Sequence, residues 1–266
     1  MAILFDRRES QEQCESIART LQGLTNDSDA FTFEHLLLNA QHITSLLSCC
    51  YKDAVGYYFN ALVSYANGLM SITGKHYSWA AVQLYYSVYY ACRAMLGFNR
   101  HILVRKGDLY GLKVSDAEQT KKFRSRNDHK VTIDYFKKVF GNNDYLMSNN
   151  IDGIDFYSWI TSLREITHYR QRHFKEPNFL NVFTIIESEL NSGKRIGDML
   201  DNYSLNWNLY CFQEEFAAIV APYKLLIETN QAYLAQPERI SINQRKYVER
   251  MFNGLKWNNA VPILLK

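Results

Sequence analysis

The chain has 266 residues, 47% of them hydrophobic and 21% charged, with a formal net charge of +3. These proportions exclude a disordered chain and supply a sizeable core, in one large domain or two small ones. The mild positive balance permits contact with nucleic acid without demanding it, because a dedicated phosphate binder carries a stronger basic bias.

In chain order, residues 6–23 read as a charged, solvated helix, and residues 31–48 as a second, with Phe31, Leu37, Ala40, Ile43 and Leu47 at helical spacing. Residues 53–72 form a third, stopped by Gly74. Tyr77–Leu96 is the most hydrophobic segment, and a helix apolar all round is the buried centre of a bundle. Residues 99–128 lose periodicity, gain charge and read as a long basic connection. Within it Tyr110, Lys121, Lys122, Arg124 and Arg126 are candidate contacts to a nucleic-acid backbone, with a plain solvated loop as the alternative.

A helix over 128–141 follows, with Asp128 as N-cap and Gly141 just past the end. Phe156–Phe174 is another, ended by Pro177. Residues 179–191 and 205–234 are further helices, the second kinked at Pro222, and the tail 238–266 joins a basic amphipathic stretch to an apolar end that needs a surface to cover it. Strand-like alternation is not evident, so the expected fold class is all-α.

Composition and motifs bound the chemistry. Cys14, Cys49, Cys50, Cys92 and Cys211 are odd in number and none stands in a CxxC pair. Reduced, buried thiols in a cytoplasmic protein follow, rather than a disulfide framework or a zinc site. The N-terminal stretch turns charged after five residues, unlike a signal peptide. Ser78–Gly97, the nearest approach to a membrane span, carries Gln83 and Arg93. Phosphate loops, nucleophile elbows and HExxH are absent. Glu214–Glu215 reads as a solvated face, and the scattered His35, His42, His76 and His101 suggest no metal site. No cofactor is expected.

LREITHYRQRHFKEP, residues 163–177, concentrates the basic residues. At helical spacing Phe156, Trp159, Leu163 and Ile166 share a stripe that continues to Arg170 and His173, aiming both at the bundle or a partner. Arg164 and His168 fall on a separate, polar face. Buried arginine is costly unless paired, so Arg170 and His173 read either as a paired core arginine beside a hydrogen-bonded histidine or as an enclosed phosphate-handling pocket. Arg164 and His168 read as a solvated face or as auxiliary groups of such a pocket.

Three segments together resemble the HEPN superfamily, helical domains of prokaryotic toxin–antitoxin and anti-phage defence systems. HYSWAAVQLYYSVYYACRAMLG is similar to the family's first core helix, DHKVTIDYFKKVFG to its middle helix and SLREITHYRQRHF to its last. The resemblance spans residues 75–177, leaving 1–74 and 178–266 as N- and C-terminal helical extensions.

Active members are metal-independent endoribonucleases whose last helix carries an arginine, four to six residues, then a histidine. Arg164 precedes His168 by only three intervening residues, and Ile166, Thr167 and His168 stand where His173 would need its arginine. Arg124 and His129 are correctly spaced but precede the middle helix.

The resemblance therefore implies a non-catalytic or degenerate HEPN-like subunit of a bacterial defence or toxin–antitoxin complex. It would bind a protein partner, such as an ATPase or nuclease effector, and RNA, with homodimerisation through the HEPN-like helices. The alternatives are an endoribonuclease using Arg170, His173, Arg164 and His168, and a helical nucleic-acid-binding module using the 100–130 segment.

Overall fold

The computed structural model describes residues 7–26, 29–115, 119–141, 146, 150–170, 172–174, 176, 181–204 and 214–265. Most of them are helical, as an all-α class predicts, with one small sheet and one short hairpin as the departure.

The centre is a helical pair, α2 (Ala40–Thr73) and α3 (Tyr77–Phe98), joined by a three-residue turn at Gly74–His76. So short a link makes the helices antiparallel neighbours. They approach closely because Gly97 has no side chain: a Cβ there would stand 2.7 Å from the Ala54 Cβ. α3 is buried nearly all round, from Tyr77 to Phe98.

α2 corrects the expectation of two helices over 31–48 and 53–72. Asn39 caps it, accepting from His42 N at 2.9 Å, and nothing between Ser48 and Asp53 interrupts the backbone ladder. Residues 31–39 are not helical; Phe31, Phe33, Leu36 and Leu38 instead bury in a second apolar cluster beneath the sheet. α1 (Glu9–Leu21) closes that cluster with Cys14, Ile17 and Ala18, so it is only half solvated. The Asp53 carboxylate of α2 accepts from Glu9 N and Ser10 N at 3.0 Å each, supplying the anion the α1 N-terminus favours.

The expected connection over 99–128 contains an antiparallel sheet, β1 (His101–Lys106), β2 (Asp108–Lys113) and β3 (Lys121–Lys122), in that order. Gly107, at φ +66°, turns β1 into β2. Leu103 and Leu109 face the main core while Ile102, Val104, Tyr110 and Leu112 face the second cluster. A sheet covered on both faces shows no clean polar–apolar alternation, which is why its strands read as loop.

α4 (Asp128–Phe140) is capped by Asn127, whose side chain accepts from Lys130 N, rather than by Asp128. Gly141 ends it at φ −51°, without a left-handed turn. A hairpin of β4 (Asn150–Ile151) and β5 (Ile154–Asp155) leads into α5 (Phe156–Glu165), capped by Asp155. α5 gives way to a π-helical turn over Ile166–Arg170, so the expected helix to Phe174 stops early. Pro177 lies outside the described residues.

α6 (Thr184–Asn191) follows a 3-10 turn at Asn181–Phe183, and α7 (Ile196–Ser204) lies between two expected helices. The start of the helix expected over 205–234 falls outside the described residues. From Ala217, α8 (Ala217–Leu234) runs through Pro222. α9 (Ile242–Gly254) and α10 (Ala260–Leu264) complete the chain. The apolar end packs on the body: Leu264 and Leu265 are buried, and Tyr58 donates to Leu264 O at 2.6 Å. Residues of all three segments, 1–74, 75–177 and 178–266, share the main apolar cluster.

Cys14, Cys50 and Cys92 are buried, and Cys49 is half-buried. Cys211 lies outside the described residues. Among those residues no helix is long and apolar enough to cross a membrane, and no group of three His, Cys, Asp or Glu could hold a metal ion.

Candidate functional site

α3 carries a polar stripe on an otherwise apolar surface. Tyr85, Tyr89 and Arg93 stand four residues apart and therefore share one face. α4 lays Asp128, His129 and Thr132 across it. The Tyr85 hydroxyl and His129 Nδ1 are hydrogen-bonded at 3.0 Å, and Tyr89 donates to Asp128 Oδ2 at 2.7 Å. Arg93 donates to the Tyr57 hydroxyl at 2.8 Å and lies 3.5 Å from Asp128 Oδ1, a charge contact rather than a hydrogen bond.

α5 covers the other end of the stripe with Arg164. Its guanidinium sits 4.6 Å above the Tyr85 ring and 5.3 Å from the Tyr169 ring, and Nη1 donates to the Tyr169 hydroxyl at 3.4 Å. Arg164 is only 8% exposed, its Nε has no hydrogen-bond partner, and it makes no ion pair among the described residues. Tyr85, His129 and Arg164 border a cleft of about 330 Å³, walled also by Lys130, Asp134 and Lys137 on α4 and by Ser158, Thr161, Ser162 and Glu165 on α5.

The environment sets protonation. Burial first, then the Arg164 charge, holds the His129 pKa below that of a free histidine, so the ring is biased neutral. Burial pushes the Tyr85 hydroxyl up despite Arg164, so it stays protonated. Burial alone would raise the Asp128 pKa; Arg93 and the Tyr89 hydroxyl outweigh it and hold it below the usual carboxylate range. A cationic fork, a neutral imidazole and a phenol facing one cleft can bind a phosphate and exchange a proton with it.

The residues proposed from sequence divide differently. The buried residues of α5 are Phe156, Tyr157, Trp159, Ile160, Leu163 and Arg164, followed by Thr167 in the π turn. Arg164 thus points inward, against the expected solvated placement. Arg170 points outward, its side chain 69% exposed and paired with Glu165 at 3.0 Å. His173 is exposed beyond the turn, so neither residue is aimed at the bundle. The stripe taken through Ile166 overlooked Tyr157 and Ile160, and the π turn then shifts the phase of every later residue. His168 is exposed, edge-on to Trp79 at 6.5 Å and beside Tyr169 at 4.7 Å.

In the 100–130 segment, Lys122 is paired with Glu34 and Asp108, each at 3.0 Å, and Arg126 with Asp108 at 2.8 Å. Lys121 and Arg124 are exposed and make no ion pair among the described residues. Tyr85, Tyr89, Arg93 and His129 were not singled out as a site; the four-residue Tyr-Tyr-Arg spacing and the adjacent Asp128–His129 pair were the available signals.

No protein family, curated protein or solved structure matches this chain.

Proposed function

We propose that this chain is a HEPN-like subunit of a bacterial anti-phage defence or toxin–antitoxin complex, binding a protein partner and an RNA phosphate. The observation that carries the RNA part is Arg164: buried, without a carboxylate partner among the described residues, and bordering an open cleft. A buried guanidinium calls for an anion, and a backbone phosphate meets it with matched bidentate geometry. The three helices that carry the resemblance, α3, α4 and α5, all line this cleft, which supports the family reading. The exposure of Arg170 and His173, with Arg170 paired to Glu165, supports binding over cleavage by that pair.

A second reading, metal-independent ribonuclease, is favoured by one observation: His129 is biased neutral, hydrogen-bonded to Tyr85 and in the same cleft as Arg164. In that scheme His129 takes the proton of the 2′-hydroxyl, the 2′-oxygen bonds to phosphorus as the P–O5′ bond breaks, water protonates the leaving 5′-oxygen, and Arg164 holds the scissile phosphate.

One experiment serves both. The purified chain is incubated in EDTA with labelled single-stranded RNA, beside Arg164→Leu, His129→Gln and His173→Ala. Binding without cleavage, lost in Arg164→Leu and kept in His173→Ala, is the expected result. Cleavage that His129→Gln abolishes would replace it with the second reading. Binding indifferent to Arg164 would sink both.

A further inference from the structure

α4 has a second polar flank. The cleft takes His129, Lys130, Ile133 and Lys137, whereas Tyr135, Lys138 and Val139 line a separate hollow of about 210 Å³ against the sheet. Strand register explains what gathers there. Lys113 pairs directly with His101, and Lys121 directly with Gly111. Alternate residues of a strand share a face, so Lys113, Lys121 and His101 all turn towards α4. Gly111 forms the floor: a Cβ there would meet the Phe123 ring at 2.9 Å and the Tyr135 ring at 3.2 Å. The Tyr135 hydroxyl and His101 Nδ1, 2.8 Å apart, complete it.

The hollow is thus rimmed by Lys113, Lys121 and Lys138, and among the described residues no aspartate or glutamate lines it. Like charges gathered on a sheet face destabilise it. Nearby lysines are neutralised within the chain: Lys122 by Glu34 and Asp108, and Lys137 by Asp155 at 2.8 Å. The three rim lysines make no ion pair among the described residues.

We infer that this hollow is a second anion site, taking a phosphate group between Lys113, Lys121 and Lys138. Lysine binds phosphate as a mobile point charge, and three of them around a concave floor hold one group without bidentate geometry. The phosphate comes either from an RNA backbone or from a phosphorylated small molecule.

The test is thermal unfolding of the full chain with inorganic pyrophosphate, or with a single-stranded oligoribonucleotide lacking a terminal phosphate, at matched ionic strength. The wild type is compared with the Lys113→Gln/Lys121→Gln/Lys138→Gln variant and with Arg164→Leu. Either ligand at saturating concentration should raise the wild-type Tm by at least about 2 °C. The pyrophosphate rise should persist in Arg164→Leu and fall in the triple variant, and the oligonucleotide rise should fall in both variants; the triple variant should itself melt no lower than the wild type at low salt. A response to the oligonucleotide alone that weakens in the triple variant assigns the backbone source, and a response to pyrophosphate that weakens there assigns the small-molecule source. No response to either, or an equal response in the triple variant, overturns the inference. So does an Asp116→Asn/Glu118→Gln variant that binds pyrophosphate at least about tenfold more tightly than the wild type, since the chain's own acids would then fill the site.

Discussion

Arg93 and Arg164 are both buried and both lie over a tyrosine ring, Arg93 at 4.9 Å from Tyr57 and Arg164 at 4.6 Å from Tyr85. They end differently. Arg93 terminates on Asp128, the Tyr57 hydroxyl and the Thr132 hydroxyl, all supplied by α2 and α4. Arg164 terminates on a phenol and leaves Nε unmatched beside a cleft. The difference teaches that burial alone does not give an arginine its role. Where the protein provides the counter-charge, the residue ties helices together; where it does not, the residue is poised for an outside anion.

The largest expected effect breaks the tied member. Arg93→Leu should destabilise the fold by about 3 kcal/mol, because it strands a half-buried Asp128 carboxylate, as read from urea unfolding. Adding Asp128→Asn should recover part of that loss. Next comes the open member. Arg164→Leu should stay within about 1 kcal/mol of wild-type stability while RNA affinity falls at least about tenfold. A loss of stability equal to that of Arg93→Leu would erase the contrast.

Acid titration sharpens it further. Asp128 has a depressed pKa, so its contribution is present above the unfolded value of about 3.9 and lost as pH falls through the lower folded value. Midpoints measured below pH ~4 should therefore drop more steeply in wild type than in Asp128→Asn. The smallest effect belongs to His129. Its folded pKa is also depressed, so the unfolded chain takes the proton first, and stability declines as pH falls below about 6.5. His129→Gln should flatten that decline, and a bound phosphate should flatten it too by favouring the imidazolium.

Much of this arrangement was legible in the sequence. YYSVYYA announced α3 as the central helix, because no face of it is polar enough for water. The candidate site was read less well. Helical spacing puts Ile166 and Arg170 on one stripe and Arg164 on a polar face, as a solvated or an auxiliary group, and the π turn at Ile166–Arg170 leaves no compositional trace. His129 was noted only for its spacing from Arg124, since its partner Tyr85 comes from a helix 44 positions earlier. β1 and β2 escaped for a different reason: covered on both faces, they lack the period of two that marks a half-exposed strand. The merged α2 shows the converse error, in which a short polar stretch, SCCYKD, resembled a break but contains no residue that stops a helix.

The hydrogen bond from Tyr58 to Leu264 spans 206 positions. α2 and α3, by contrast, meet across three residues. Closing a loop of the first kind costs chain entropy that a hairpin does not incur. The connectivity predicts an order of folding in which the α2–α3 hairpin forms from local contacts and residues 260–265 dock late. In native-state hydrogen exchange, the amides of α10 should open well before those at the centre of α3, and a small opening at the tail would expose the Tyr58 ring without unravelling the hairpin beneath it.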